Sequence, residues 1–176
     1  MMSVTQFLAR RRVSLGFAFA AAVLYAARPT WRSLAAGVAV GLTGEAVRVW
    51  AAGHLEKSRE VTMSGPYRFT RHPLYVGSSI MGLGVAIGSR SLVVAVLMAV
   101  YMGATIGAAI RTEEAFLRRQ FGDVYDAYAE SRGPLVERRF SLARAWRNKE
   151  YRAITGLAAF VLLLAGRMWL RKIGVI

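Results

Sequence analysis

Residues 91–110 run for twenty positions without one charged side chain. A bilayer-spanning helix needs about 20 predominantly apolar residues, and this segment supplies them. A chain that enters hydrocarbon must satisfy its backbone hydrogen bonds internally, so the segment is a helix or part of a closed barrel. Four further apolar segments accompany it, at residues 13–27, 33–53, 73–88 and 154–170. The second carries Glu45 and Arg48, and the last carries Arg167. The first and third are short and must borrow flanking residues to cross. None alternates in polarity, and Ala, Leu, Met and Gly dominate them, which argues against strands. The expected fold is all-α: a polytopic membrane helix bundle of about five transmembrane helices with a cytoplasmic interfacial helical segment. Residues 1–176 form one integral membrane domain.

Composition sharpens this reading. The chain is 55% hydrophobic and only 19% charged, against about 25% charged in a soluble domain. Yet its net charge is +14, from 24 Lys and Arg against 10 Asp and Glu. A disordered basic protein would lack the apolar residues. A soluble nucleic-acid-binding domain would need its cations in a stripe on a polar face. Sorting the cations by loop gives a simpler account. With the N-terminus inside, seventeen of the 24 fall on the inner side, six on the outer side, and Arg48 lies within a span. This excess orients the chain with a cytoplasmic N-terminus, and no nucleic acid is needed to explain the charge; the expected location is the inner membrane of a prokaryote. The inner cations face anionic headgroups. Arg10, Arg11 and Arg12 followed by an apolar run resemble a signal peptide, but the later spans favour a retained first helix. Cysteine is absent, which excludes disulfides, zinc–thiolate sites and a thiol nucleophile. His54 and His72 are the only histidines. No His, Asp and Glu cluster has metal-ligand spacing, so no metal site is expected.

Little more than Ser89-Arg90 separates the third and fourth spans, which predicts an antiparallel helical hairpin. The segment before the third span therefore meets the segment after the fourth. Before the third stands Gly65-Pro66-Tyr67-Arg68-Phe69-Thr70-Arg71-His72-Pro73-Leu74-Tyr75-Val76-Gly77. Gly65-Pro66 reads as a turn. Pro73 suits the first turn of a helix and keeps His72 out of helical geometry. Arg71 and His72 then sit at a helix N-terminus, where free N–H groups favour an anion. Singly, Arg68, Arg71, Tyr67 and Tyr75 also read as interfacial anchors.

After the fourth span come Arg111-Thr112-Glu113-Glu114, then Leu117, Phe121, Tyr125 and Tyr128 at spacings of four, four and three. These four residues share one face of an amphipathic segment. Gly122 ends one helix and Asp123 caps the next. Glu113 and Glu114 also read as surface charges balancing Arg111, Arg118 and Arg119.

Taken together, the two motifs resemble the isoprenylcysteine carboxyl methyltransferase and phospholipid methyltransferase superfamily. The matching elements are Arg71-His72-Pro73-Leu74-Tyr75-Val76-Gly77, the Glu113-Glu114 pair and Phe121-Gly122-Asp123-Val124-Tyr125-Asp126-Ala127-Tyr128, in order around a hairpin. The match covers about residues 50–132. The resemblance implies S-adenosylmethionine as cofactor, bound at the cytoplasmic membrane surface without a Rossmann domain. It implies transfer of a methyl group to a lipid-like or lipidated acceptor, either a carboxylate as in isoprenylcysteine or a phospholipid amine. His72, Tyr75, Gly77, Gly82, Gly84, Glu113 and Glu114 are the expected cofactor residues, and Arg71, Glu114 and Arg68 the expected catalytic ones. Residue chemistry agrees: arginine and a helix start suit the cofactor carboxylate, and a Glu suits its ammonium or ribose hydroxyls. Gly82 and Gly84 serve equally well to bring two helices together.

Glu45 and Arg48, three apart on one helix, are expected to pair. Residues 133–176 depart from the family pattern, with an arginine-rich stretch and an extra span. Residues 141–152 read either as a basic interfacial helix anchored by Trp146 and Tyr151 or as a positive stop before the last span. Two other functions compete. A related NADPH-dependent membrane reductase would need room for a larger cofactor. A non-enzymatic scaffold would tolerate replacement of Arg71, His72, Glu113 and Glu114. Gly- and Ala-rich spans permit an oligomer.

Overall fold

The computed structural model describes residues 18–134 and 136–174. Arg10, Arg11, Arg12 and the start of the first apolar run lie outside the described residues. Helix α1 covers residues 18–26. It is followed by α2 (Trp31–Ala52), a 3-10 turn (Gly65–Arg68), α3 (Pro73–Ser89), α4 (Leu92–Phe121), α5 (Asp123–Ala129), α6 (Leu142–Arg147) and α7 (Tyr151–Lys172). Among the described residues there is no strand. Three helices, α2, α4 and α7, are long and apolar enough to cross a membrane, and α3 is a shorter apolar helix. The chain is an all-helical integral membrane protein.

Helices stand at the last four of the five expected segments, with shifted ends, and α1 lies within the first; three of the five are long and apolar enough to cross a membrane. Helix α2 starts earlier than residue 33 because Thr30 and Ser33 close a reciprocal capping box. Pro73 occupies the first position of α3. The α3–α4 hairpin turns on Arg90, in the left-handed region at φ 48°, and Ser91 then caps α4 through Val94 N–H. Helix α4 runs eleven residues past the uncharged segment. Gly122 (φ 49°) ends it and also precedes α5, so Asp123 is the first residue of α5 rather than its cap.

Helices α2 and α3 lie antiparallel, backbone against backbone. A Cβ on Gly37 would stand 2.5 Å from Gly84 O, and one on Gly44 would stand 2.6 Å from Gly77 O. Small residues give membrane helices this close approach, with dispersion replacing the hydrophobic effect that lipid does not provide. A second contact joins α1, α2 and α7 through Ala27, Leu34 and Leu164. There Arg167, on α7, donates to the carbonyls of Leu24 and Tyr25. It thereby satisfies the open C-terminal end of α1, where a cation is favoured.

The arginine-rich stretch folds back rather than trailing off. Ser141 N–H donates to Gly53 O at 3.1 Å. Asn148 donates to Ala52 O and Leu55 O, both at 2.9 Å. Arg144 binds Glu56 at 2.8 Å and Arg138 binds Glu60 at 2.6 Å. The reading of this stretch as only a positive stop is therefore incomplete, since its polar side chains close the end of α2.

Candidate functional site

The 3-10 turn sets the first motif. Gly65 has φ 57°, and a Cβ there would lie 2.6 Å from the His54 ring. His54 Nδ1 in turn meets Ser64 Oγ at 3.2 Å. Burial, with Arg144, Arg138 and Arg68 nearby, holds the His54 imidazole below its ordinary pKa. His54 therefore supports the motif from behind in its neutral form.

At the start of α3, the hairpin brings the two motifs together as expected. Glu114 Oε1 accepts from His72 Nε2 at 3.0 Å and from Arg71 Nη1 at 3.2 Å. The other histidine nitrogen, Nδ1, is buried without a partner. Glu113 lies beside the Tyr75 hydroxyl. Tyr125 packs with Val61 and Met63, and Leu117, Phe121 and Tyr128 flank this cluster. The apolar face of the second motif thus covers a loop of the protein itself. Tyr128 Oη donates to Tyr67 O at 2.8 Å, which ties α5 to the 3-10 turn. Burial raises the Tyr128 hydroxyl to about 12 and raises that of Tyr67 as well. Both are neutral hydroxyls at physiological pH. The Tyr125 hydroxyl, close to Arg71, is buried without a hydrogen bond.

These groups border a cleft of about 1490 Å³. Arg71, Tyr75, Glu113, Tyr67 and Tyr128 line its polar part, and Phe19, Val100 and Ala104 carry it along α1 and α4 into the apolar layer. Phe19 and Tyr101 stack there at 4.2 Å. Ordinary ligand pockets hold roughly 300–1,000 Å³, so this cleft is larger than one such ligand requires.

The remaining expected site residues lie elsewhere. Arg68 donates to Val136 O at 3.3 Å and faces Glu137 at 3.7 Å. Gly77 abuts Arg48 and Gly44 on α2, Gly84 abuts Gly37 and Gly41, and Gly82 abuts Met102 on α4. Sequence reasoning passed over two cleft residues, Asn148 and Glu150, which come from the stretch before α7. Arg48, expected as a partner of Glu45 and, as an intramembrane charge, to face the bundle interior or a polar cavity, also lines the cleft. That pair forms loosely, at 3.9 Å, and the structure adds a closer partner: Arg48 Nε binds Glu150 at 2.6 Å. Arg48 also donates to Ser78 Oγ at 2.5 Å. Both Glu45 oxygens are buried without hydrogen bonds. Its intramembrane charge was the available signal; a partner 102 residues away was not readable.

Comparison with known proteins decides the family. The model of a family described as phospholipid methyltransferase matches residues 17–124, which include the first motif, the hairpin, Glu113-Glu114 and the second motif as far as Val124. The chain belongs to the phospholipid methyltransferase family. Among curated proteins, it is similar to the nickel-cobalt-cadmium resistance protein NccN of Alcaligenes xylosoxydans xylosoxydans, with 33% identity over 146 residues, covering 80% of this chain and 65% of that one. The cobalt-zinc-cadmium resistance protein CzcN of Cupriavidus metallidurans is 36% identical over 110 residues, covering 61% and 49%. The protein-S-isoprenylcysteine O-methyltransferase of Schizosaccharomyces pombe is 34% identical over 77 residues, covering 44% and 33%. The chain thus spans less than two thirds of the length of each of these relatives. No solved structure matches it.

Proposed function

We propose that this chain is an S-adenosylmethionine-dependent methyltransferase acting on a lipid-like or lipidated acceptor at the cytoplasmic face of a prokaryotic inner membrane. The observation that carries the reading is the joining of Arg71, His72, Glu113 and Glu114 across one hairpin, beside a cleft that continues into the apolar layer. The groups present suit the cofactor. His72 Nδ1 is a buried polar atom still lacking a partner, and Glu113 is a cleft carboxylate with no cation paired to it among the described residues. S-adenosylmethionine, when bound, supplies a methyl group on a sulfonium centre, already a good leaving group.

The protein's share is then binding, orientation and exclusion of water. Glu114 holds Arg71 and His72 in fixed positions at the helix start. Arg71 keeps further N–H donors for a carboxylate. Glu113 accepts from an ammonium or a hydroxyl, and the faces of Tyr67 and Tyr75 suit a cation. A carboxylate acceptor needs no base, whereas an ammonium acceptor would lose its proton to Glu113.

Two relatives carry metal-resistance names. Among the described residues no three His, Asp or Glu side chains converge on a common point.

Calorimetric titration of the full chain in detergent tests the proposal. S-adenosylmethionine and S-adenosylhomocysteine are expected to bind, and NADPH is not. Hydrogen bonds to charged groups are worth roughly 1.5–3 kcal/mol, so Glu113→Ala and His72→Ala are each expected to weaken the adenosyl compounds about tenfold or more. Failure of both to bind overturns the proposal, and NADPH binding alone would support the reductase. Unchanged affinity in both variants would remove these residues from the site.

A further inference from the structure

We infer that the stretch from Arg139 to Arg152 is a docking surface for the anionic headgroups of a lipid bilayer. The argument begins with the faces of α6. Ala145 is 3% exposed, and Arg144 turns inward to Glu56 and Gly53 O, so these two positions fix the buried side. Leu142 and Trp146, four apart, share the opposite side and are 70% and 68% exposed. Ala143 and Arg147 continue that outer arc.

Two large apolar side chains so exposed would be costly in water. They stand within nine residues of Tyr151, where α7, apolar enough to cross a membrane, begins. The Trp146 and Tyr151 rings meet at 4.8 Å, and such amphipathic aromatics favour the headgroup layer. Phe140 joins the stretch to the body of the protein, its ring filling the space that a Cβ on Gly53 would need. Depth and orientation are thus set by the fold.

Charge selects the lipid. Arg139, Arg147, Lys149 and Arg152 are all exposed around this apolar pair. Arg139, Lys149 and Arg152 enter no ion pair among the described residues, and Arg147 shares Glu56, at 3.4 Å, with the closer Arg144. Clusters of four or more cations beside a membrane helix favour anionic lipid. The inference is independent of the methyl-transfer reading.

The absence of native cysteine makes the test direct. Leu142→Cys in the full chain gives a single thiol for a nitroxide label. Phosphatidylglycerol or phosphatidylcholine is titrated into the detergent-solubilised protein, and immobilisation of the label is read by electron paramagnetic resonance. One cation near an anionic surface contributes about fivefold, so four give a phosphatidylglycerol preference of at least about tenfold. Changing Arg139, Arg147, Lys149 and Arg152 together to Gln should abolish the preference. Changing the three arginines to Lys should retain it, which separates loss of charge from loss of fold. Equal midpoints for the two lipids, or an unchanged preference in the Gln variant, would overturn the inference. So would a label that stays as mobile as one placed at Arg59→Cys in the exposed loop.

Discussion

At the scale of single residues, the site rests on groups that are themselves fixed from behind. His54 touches no cleft, yet it occupies the space that Gly65 leaves open and bonds Ser64. Its imidazole titrates below the ordinary value of 6.5 because burial and the nearby arginines disfavour the charged form. When the pH falls through about 6.5, the unfolded chain takes up this proton first. Stability is therefore expected to fall as pH drops from about 6.5 towards the lower folded value, and His54 contributes no slope above that window. Melting curves in detergent from pH 8 to pH 5 measure this, and His54→Gln should flatten the acid limb. Gly65→Ala meets both a left-handed backbone and the His54 ring. The expected loss is about 2 kcal/mol, read by the same melting curves.

Elements were legible where their signals are local. Pro73 marked the start of α3, the Ser89-Arg90 gap marked the hairpin, and both formed as expected. Asp123 misled because Gly122 serves two helices at once. The C-terminal stretch was harder: arginines that stop a span and arginines that reach back to Glu56 and Glu60 look identical in a sequence. So do glycines that admit a ligand and glycines that admit a helix: Gly82 and Gly84 read either way and Gly77 reads as a cofactor residue, yet all three abut neighbouring helices. The hairpin also carries a correctable strain. Arg90 holds a left-handed conformation that costs a side-chain-bearing residue about 1 kcal/mol relative to glycine. Arg90→Gly is expected to raise stability by up to that amount, checked by thermal unfolding.

Across the whole molecule, packing is uneven. Helix α2 buries seven residues, while α4 and α7 each bury one. The stability of the fold should then respond very differently to equal changes. Gly84→Ala places a methyl 2.6 Å from Gly37 O, which backbone cannot yield. It is expected to cost about 3 kcal/mol or more. Gly107→Ala, on α4 with nothing within 4 Å, should leave the melting temperature within a degree or two. A comparable loss for both would refute the assignment of α2 and α3 as the packed centre.

The contact between α2 and α3 has a mechanical consequence. At Gly37–Gly84 backbone meets backbone directly, while the side chains of Arg48 and Met81 flank the Gly44–Gly77 contact, so only the first has no rotamers to absorb a displacement. The pair is stiffer there. One end abuts Arg28 and Ser33, which bond Ser89 O and Gly88 O, and the other carries Arg48, Arg71 and His72. A shift of α2 against α3 at the Gly37 end therefore meets backbone at once, whereas at the Arg48 end it meets side chains that can turn.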